Sequence, residues 1–126
     1  MKFFFDNNLS PRLARGLLEF GEDVTHLQDH YPADVPDQDW LPDIGAKGWI
    51  LVTRDERVRR NPSELAAIKM YKVGAFFLGG KNLSHWELIQ QVVRNWLRIR
   101  ELADKIPRPF AFRVAPHGST LDRIPL

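Results

Sequence analysis

Two predicted strands of the chain are followed closely by an aspartate. Asp6 comes directly after Phe3–Phe5, and Asp55 follows Trp49–Thr53 after one arginine. Because the carboxyl ends of neighbouring parallel strands meet at one edge of a sheet, we expect the two carboxylates to lie close together. Converging carboxylates raise one another's pKa values unless a cation lies between them. The spacing therefore predicts an acidic site that binds a hard divalent ion.

A third carboxylate comes from the segment before the second of these strands. Asp37 and Asp39 precede a short predicted helix that leads back to Ile50, and either could bind metal or cap the helix. Pro42 is tolerated only in a first helical turn, so the helix is predicted to begin near Gln38 or Asp39. This start favours Asp39 as the cap and Asp37 as the ligand, and it leaves both residues as metal candidates.

Such a site suits phosphodiester hydrolysis. Mg²⁺ takes oxygen ligands and keeps several waters, so two or three aspartates suffice to hold it. The ion can activate a water and neutralise charge that develops on a phosphate. Cations that could contact a polyanion follow Trp49–Thr53, although taken alone such a cluster is more often a solvated helix face. These phosphate-binding candidates are Arg54, Arg57, Arg59 and Arg60.

Two further acids are weaker candidates. Glu64 stands at the third position after Asn61, where a capping-box residue belongs, and Glu56 is simply adjacent to Asp55. The four histidines show no spacing typical of zinc ligands on one helix, so we expect no zinc site.

The composition indicates one ordinary globular domain. The chain has 126 residues, of which 44% are hydrophobic and 27% charged, and its net charge is only +2. The absence of cysteine excludes disulfides and thiolate metal sites and fits a cytoplasmic protein. No apolar run approaches the roughly 20 residues of a membrane span, so we expect a soluble protein.

Short apolar strands alternate with helices that have clear start signals. Ser10-Pro11, Asn61-Pro62 and the capping-box pair Ser84 and Glu87 each predict a helix start. This order predicts an α/β domain with a mostly parallel sheet of about four to five strands and helices on both faces. Residues 1–114 would form the domain, and the order of the tail, 115–126, is left open. The predicted strands are Phe3–Phe5, Val24–Leu27, Trp49–Thr53, Ala75–Leu78 and Phe110–Val114.

The last predicted helix carries an apolar stripe formed by Leu88, Val92, Trp96, Ile99 and Ala103. Helical spacing assigns this stripe to the core. The opposite, solvent-facing side is predicted to consist of Gln91, Arg94, Arg98, Glu101 and Lys105.

Several motifs together resemble one family. Phe4–Leu13 looks like the opening of small bacterial PIN-like proteins, and Asp37–Trp40 resembles their second acidic position. Trp49–Asp55 is similar to their valine–threonine–arginine–aspartate signature. The segments 57–64, 76–83 and 107–114 also look like the branch of VapC-type toxins, so the resemblance extends from about Phe3 to Val114.

The resemblance implies a PIN-like fold and an endoribonuclease that depends on Mg²⁺ or Mn²⁺. It also implies the toxin role in a toxin–antitoxin pair, with RNA as substrate, a cognate antitoxin as partner, and a homodimer as one possible assembly. Asp6, Asp37 and Asp55 would then be the catalytic metal ligands, with Asp39 as a further metal candidate. The supporting residues would be Asn7, Asn8, Thr53, Glu56 and Glu64.

Two departures from the family pattern motivate a second hypothesis. Asn7 stands where many relatives have Glu, and Arg57 stands where many have another acid. Both changes leave fewer acidic residues at the site than many relatives have. The alternative hypothesis is therefore a catalytically degenerate domain that binds protein or RNA. A receiver-like signalling domain is a third interpretation, which the single acid after the first strand disfavours.

Overall fold

Strands and helices alternate along the chain in the computed structural model, which describes residues 1–55 and 61–126. A short 3₁₀ turn at Leu27–Asp29 follows the second strand. The strands are β1 (Phe3–Phe5), β2 (Val24–His26), β3 (Ile50–Asp55), β4 (Gly74–Gly79), β5 (Phe110–Val114) and β6 (Leu121–Arg123). The helices are α1 (Pro11–Glu19), α2 (Asp37–Lys47), α3 (Pro62–Met70) and α4 (His85–Lys105).

The strands form one sheet in the order β2-β1-β3-β4-β5-β6. Neighbouring strands from β2 to β5 run parallel, and β6 pairs antiparallel with β5. The predicted α/β class and mostly parallel sheet are confirmed, but the sheet has six strands where four to five were predicted. The additional strand lies within the tail and has no alternating apolar pattern, since Leu121 is only half-buried and Asp122 and Arg123 are exposed.

Helices cover the sheet on both faces. The side chains of Phe3 and Phe5 join the core beneath α1 and α4, while Phe4 joins the core beneath α2 and α3. All three phenylalanines are buried because β1 lies inside the sheet with a helical layer on each face. None of the helices in the described ranges is both long and apolar enough to cross a membrane.

The predicted helix starts hold for three of the four helices. Ser10, Asn61 and Ser84 accept backbone N–H bonds as N-caps of α1, α3 and α4. The prediction for α2 was wrong: the helix begins at Asp37, Pro36 is its N-cap, and no side chain caps it. Asp39 is therefore not the cap.

Pro42 lies inside α2 and not in its first turn. Proline there removes the backbone bond to the Gln38 carbonyl and its ring crowds that carbonyl, so burial of the apolar face of α2 must offset the cost. Both Asp37 and Asp39 consequently fall in the first turn, where the helix dipole favours negative charge.

The apolar stripe of α4 is buried as predicted. The assignment of Gln91 to the solvent side was wrong, because this residue is fully buried. Its Nε2 donates to the carbonyls of Gly79, Val114 and Ala115 over 2.9–3.2 Å. These carbonyls lie where β4 and β5 leave the sheet, and a buried donor is needed to satisfy them.

Candidate functional site

The carboxyl ends of β1 and β3 form the centre of the candidate site. From β1 the chain moves outward to β2 and then returns past β1 to β3, so strand order reverses between these two neighbours. Phe5 pairs with Val52, which brings the next residues of the two strands, Asp6 and Thr53, together. Ligands of open α/β sheets bind at this kind of reversal.

Asp6 is almost completely buried, with 8% of its surface exposed. The Thr53 hydroxyl donates to its Oδ2 over 2.6 Å, and the Asn8 backbone N–H donates to its Oδ1 over 3.1 Å. Asn8 Nδ2 lies 3.4 Å from Asp6 Oδ2 and 3.2 Å from the Thr53 hydroxyl. Thr53 and Asn8, predicted as supporting residues, thus hold the carboxylate in one orientation.

The loop after β1 is held in place by the buried side chain of Leu9 and by hydrogen bonds to its backbone. Leu9 is buried, and its backbone N–H donates to the Asp6 carbonyl over 3.1 Å. His26 Nδ1 accepts the Gln28 N–H, so His26 Nε2 carries the proton and donates to the Leu9 carbonyl over 2.8 Å. This buried histidine therefore has a structural role in positioning the loop that carries Asn8.

Three carboxylates line one cleft beside β1. The cleft has a volume of about 430 Å³ and receives Asp6 from β1, Asp37 from the start of α2, and Glu64 from the first turn of α3. Asn8 and Asn61 add amide groups, and the remaining walls are largely side chains of α2 and α3. The cleft is therefore acidic, lined by oxygen donors, and open to a ligand.

The electrostatics of the cleft oppose a third negative charge on Asp6. The pKa of Asp6 is raised from 3.8 to about 6, chiefly by burial and in smaller part by the charges of Asp37 and Glu64, against hydrogen bonds from Thr53 and the Asn8 backbone that lower it. Asp37 and Glu64 lie close enough to Asp6 to disfavour its ionisation, and a bound cation would reduce this repulsion.

The structure separates the two aspartates of α2. Both residues are exposed, but Asp37 lines the cleft and Asp39 is not part of the lining. The sequence argument for preferring Asp37 rested on Asp39 as the cap, which proved wrong, yet the geometry favours the same residue. Glu64, predicted only as a supporting residue, also lines the cleft.

Asp55 is buried at the end of β3, with 3% of its surface exposed and its Cα in register with Gly79 of β4. Strand alternation assigns it to the same sheet face as Thr53, two residues earlier, although it does not line the cleft. Alternation assigns the half-buried Arg54 to the opposite face.

Asn7 points away from the cleft. Its Nδ2 donates to the Ala33 carbonyl and its Oδ1 accepts from Gln28 Nε2 over 3.0 Å. The remaining predicted site residues, Glu56, Arg57, Arg59 and Arg60, lie outside the described residues.

Sequence reasoning missed one cation at this edge of the sheet. The guanidinium of Arg113 lies over Gly79, where an added Cβ would come within 2.5 Å of its carbon. Arg113 was predicted only as a residue of the fifth strand. The signal that could have found it is its place in a parallel strand, one residue before Val114, near the carboxyl edge that carries Asp6 and Asp55.

The side chains that line the cleft offer the type of donor atom that a hard divalent cation binds. Carboxylate and amide oxygens are what Mg²⁺ and Mn²⁺ prefer, and such ions keep several waters when few side chains bind them. Within residues 1–55 and 61–126, no group of three or more acidic or histidine side chains is arranged to hold a metal ion by itself. The residues of the cleft therefore suit an ion that is bound by two carboxylates and whose remaining coordination positions are filled by water.

Comparison with known proteins gives one match. A family model described as a PIN like domain matches residues 1–80. This span contains β1 to β4 and every residue that lines the cleft. No curated protein and no solved structure matches the chain.

Proposed function

The chain belongs to the family of PIN-like domains, and from this premise we propose that it is a metal-dependent endoribonuclease that hydrolyses RNA phosphodiester bonds. We further propose that it is the toxin of a toxin–antitoxin pair of the VapC type, with a cognate antitoxin protein as partner. The toxin role rests on the sequence resemblance, whereas the nuclease role also has support from the cleft.

The observation that carries the proposal is the environment of Asp6. A buried carboxylate at a strand end shares a cleft with Asp37 and Glu64, and its pKa is raised to about 6. Burying charge in this way is costly unless a partner compensates for it. A functional cation is a direct explanation for keeping three acids here, because perturbed acids in a cleft are typical of functional sites.

Asp6 and Asp37 are the side chains that we propose to hold Mg²⁺ or Mn²⁺, with Glu64 or Asp55 as a third contributor. When bound, the ion would supply an acidified water and neutralise charge on the scissile phosphate. Hydrogen bonds from Thr53 and Asn8 hold the Asp6 carboxylate, which lines the cleft. Such pre-orientation is what an ion site needs from its surrounding shell.

The substrate phosphates need cations outside the acidic cleft. We propose that arginines among Arg54, Arg57, Arg59 and Arg60 contact them, and we add Arg113 to these candidates. Its guanidinium lies over Gly79, which pairs with Asp55. Arginine can bind two phosphate oxygens at once and is therefore suited to position a backbone beside a metal site.

The test is cleavage of total cellular RNA by the purified chain, with the new RNA ends mapped by sequencing. Reactions contain Mn²⁺, Mg²⁺ or chelator, and the variants are Asp6→Asn and Asp55→Asn. Asp122→Asn is the matched control, because it removes the same charge from an exposed position on β6. We expect discrete new ends with wild type and with the control, and their loss with chelator, with Asp6→Asn and with Asp55→Asn.

The mapped ends would also identify the RNA target, which a model substrate would miss. Full cleavage by folded Asp6→Asn would contradict the proposed site. A folded wild-type protein that is free of bound partner and gives no new ends with either metal would contradict nuclease activity. That result would favour the alternative of a degenerate domain that binds RNA or protein.

A further inference from the structure

The acidic cleft continues into an apolar slot between α2 and α3. Both helices begin at the carboxyl edge of the sheet, because α2 leads into β3 and α3 follows it. The side chains of their first turns therefore lie at the mouth of the cleft, and those of later turns lie deeper. The walls and floor of the apolar slot are formed by Trp40, Leu41, Leu51, Ala67, Ile68 and Tyr71.

The apolar slot is closed at its far end. Gly45 of α2 packs so closely against the backbone of Tyr71 that an added Cβ would collide with the Tyr71 carbonyl oxygen. The two helical segments are thus in contact at this end and separated at the mouth, where Asp37 and Glu64 line the cleft. Tyr71 follows Glu64 by seven residues, which is about 10 Å along a helix. A slot of this depth that widens towards the acids suits a flat group that enters from the acidic end.

The whole cleft is larger than a metal ion requires. Its volume of about 430 Å³ falls in the range of small-molecule sites, about 300–1,000 Å³, whereas one water takes about 30 Å³. An ion that is bound by carboxylates and a few waters would fill only the mouth. The apolar slot therefore leaves room for an uncharged part of the substrate.

Two aromatic residues line the apolar slot. Tyr71 is 36% exposed, so its ring is open to contact by a ligand. Trp40 is 2% exposed, and its Nε1 has no acceptor among residues 1–55 and 61–126. A buried donor without an acceptor is costly, and most buried polar groups in native proteins have a partner. A flat ring with acceptor atoms on its edge could stack on Tyr71 and provide the acceptor that Trp40 lacks.

We propose that the apolar slot binds one unpaired nucleobase of the RNA substrate, next to the phosphate at the mouth of the cleft. The inference rests on the proposed nuclease function, which places that phosphate beside the metal ion. The base stacks on the ring of Tyr71, and an oxygen or ring nitrogen on its edge accepts the Trp40 N–H. Proteins recognise single-stranded RNA by stacking splayed bases on aromatic rings and by hydrogen bonds to the base edges. The substrate class is therefore RNA with an unpaired base at the cleavage site.

Nucleoside 5′-monophosphates test the apolar slot without cleavage, because they contain a base and a phosphate but no internucleotide bond. Calorimetry measures the affinity of the purified chain for each of the four common nucleotides, in Mn²⁺ and in chelator. Ribose 5-phosphate is the matched probe that lacks a base. We expect at least one nucleotide to bind about 5-fold or more tightly than ribose 5-phosphate, since stacking of one base on an aromatic side chain contributes at least this factor.

Three variants assign this preference to the apolar slot. Tyr71→Ala should lower the affinity for the nucleotide to about that for ribose 5-phosphate, whereas Tyr71→Phe keeps the stacking ring and should retain it. Trp40→Phe removes the N–H but keeps an aromatic ring, and should weaken binding about threefold to tenfold. Phe20→Ala is the control, because Phe20 is an exposed aromatic residue outside the cleft. Thermal unfolding shows that each variant is folded.

Equal affinities for the nucleotides and ribose 5-phosphate would overturn the proposal, as would a nucleotide preference that Tyr71→Ala leaves unchanged. Absence of nucleotide binding at millimolar concentrations would overturn it too. None of these results would contradict the nuclease function, which is tested by cleavage of RNA in Mn²⁺. Nucleotide binding that depends on Tyr71, in a protein that cleaves no RNA, would support the apolar slot as a base site and contradict only the nuclease function.

Discussion

The hydroxyl of Thr53 donates to Asp6 Oδ2 over 2.6 Å and so links β3 to β1 at the edge of the acidic cleft. Both partners are buried. A hydrogen bond to a carboxylate is strongest when the carboxylate is ionised, and this bond is one of the two that lower the pKa of Asp6. Thr53 therefore limits how far burial and the neighbouring acids raise that pKa.

Replacing Thr53 by valine keeps the shape of the side chain and removes the donor. We expect the pKa of Asp6 to rise above about 6, and the free energy of unfolding to fall by about 2 kcal/mol at pH 8, where the carboxylate is ionised. The loss should be smaller at pH 5, where Asp6 is largely protonated. Urea unfolding at both pH values measures it. Thr53→Ser keeps the hydroxyl, so the unfolding free energy that this variant loses should not vary with pH. If Thr53→Val lost the same free energy at both pH values, the hydrogen bond to ionised Asp6 would be contradicted.

Asp6 itself should make the protein without bound metal less stable as pH rises. Its pKa in the folded state, about 6, lies above its ordinary value of 3.8. Its favourable contribution is therefore fully present below pH 3.8 and is lost as pH rises through about 6. The difference corresponds to about 3 kcal/mol.

Asp6→Asn should remove this dependence. The comparison is the unfolding free energy of wild type minus that of Asp6→Asn, measured in chelator from pH 4 to pH 8. We expect this difference to fall by about 2.5 kcal/mol over this range, mostly between pH 4 and pH 6. A flat difference would mean that Asp6 is not the perturbed carboxyl group.

The sequence predicted the parts of the site that depend on strand order. Asp6 and Thr53 follow from two apolar runs that become parallel neighbours. Glu64 was predicted only as a supporting residue, because its place in the helix-capping pattern explained it and local sequence cannot show that the start of α3 lies beside the cleft. The α2 start was predicted wrongly, because a proline inside the helix was judged intolerable, whereas tertiary packing of the buried face of α2 outweighs its local cost.

On α4, helical periodicity predicted only some of the buried side chains. It assigned Leu88 and its partners to the core correctly, but it counted Gln91 as solvent-facing because glutamine is polar. Periodicity detects the face of a helix that is apolar, whereas burial depends on which face the sheet covers.

Metal binding should distinguish Asp37 from Asp39. Asp37 lines the cleft and its charge acts on Asp6, whereas Asp39 is exposed outside the lining. Mn²⁺ at 100 times its dissociation constant should add about 2.7 kcal/mol to the stability of wild type. In thermal unfolding with increasing Mn²⁺, Asp39→Asn should retain the shift and Asp37→Asn should lose most of it. The reverse pattern would assign the ligand to Asp39.

Gln91 should contribute to stability despite its polarity. Its side-chain amide is the donor for three carbonyls at the ends of β4 and β5, so Gln91→Leu would leave buried acceptors without it. We expect a loss of about 2 kcal/mol in urea unfolding. Gln90→Leu is the adjacent control at an exposed position and should change stability by less than about 0.5 kcal/mol. Similar effects of the two substitutions would contradict the buried role.

Two helical glycines should respond oppositely to alanine. A Cβ on Gly45 of α2 would collide with the backbone carbonyl oxygen of Tyr71, which follows α3 and cannot move away like a side chain. Gly45→Ala should therefore cost more than about 2 kcal/mol and shift α2, which carries Asp37, away from α3. A Cβ on Gly16 of α1 would meet nothing within 4 Å, so Gly16→Ala should stabilise the protein by up to about 1 kcal/mol. Urea unfolding measures both changes, and a neutral Gly45→Ala would show that α2 does not depend on this close contact.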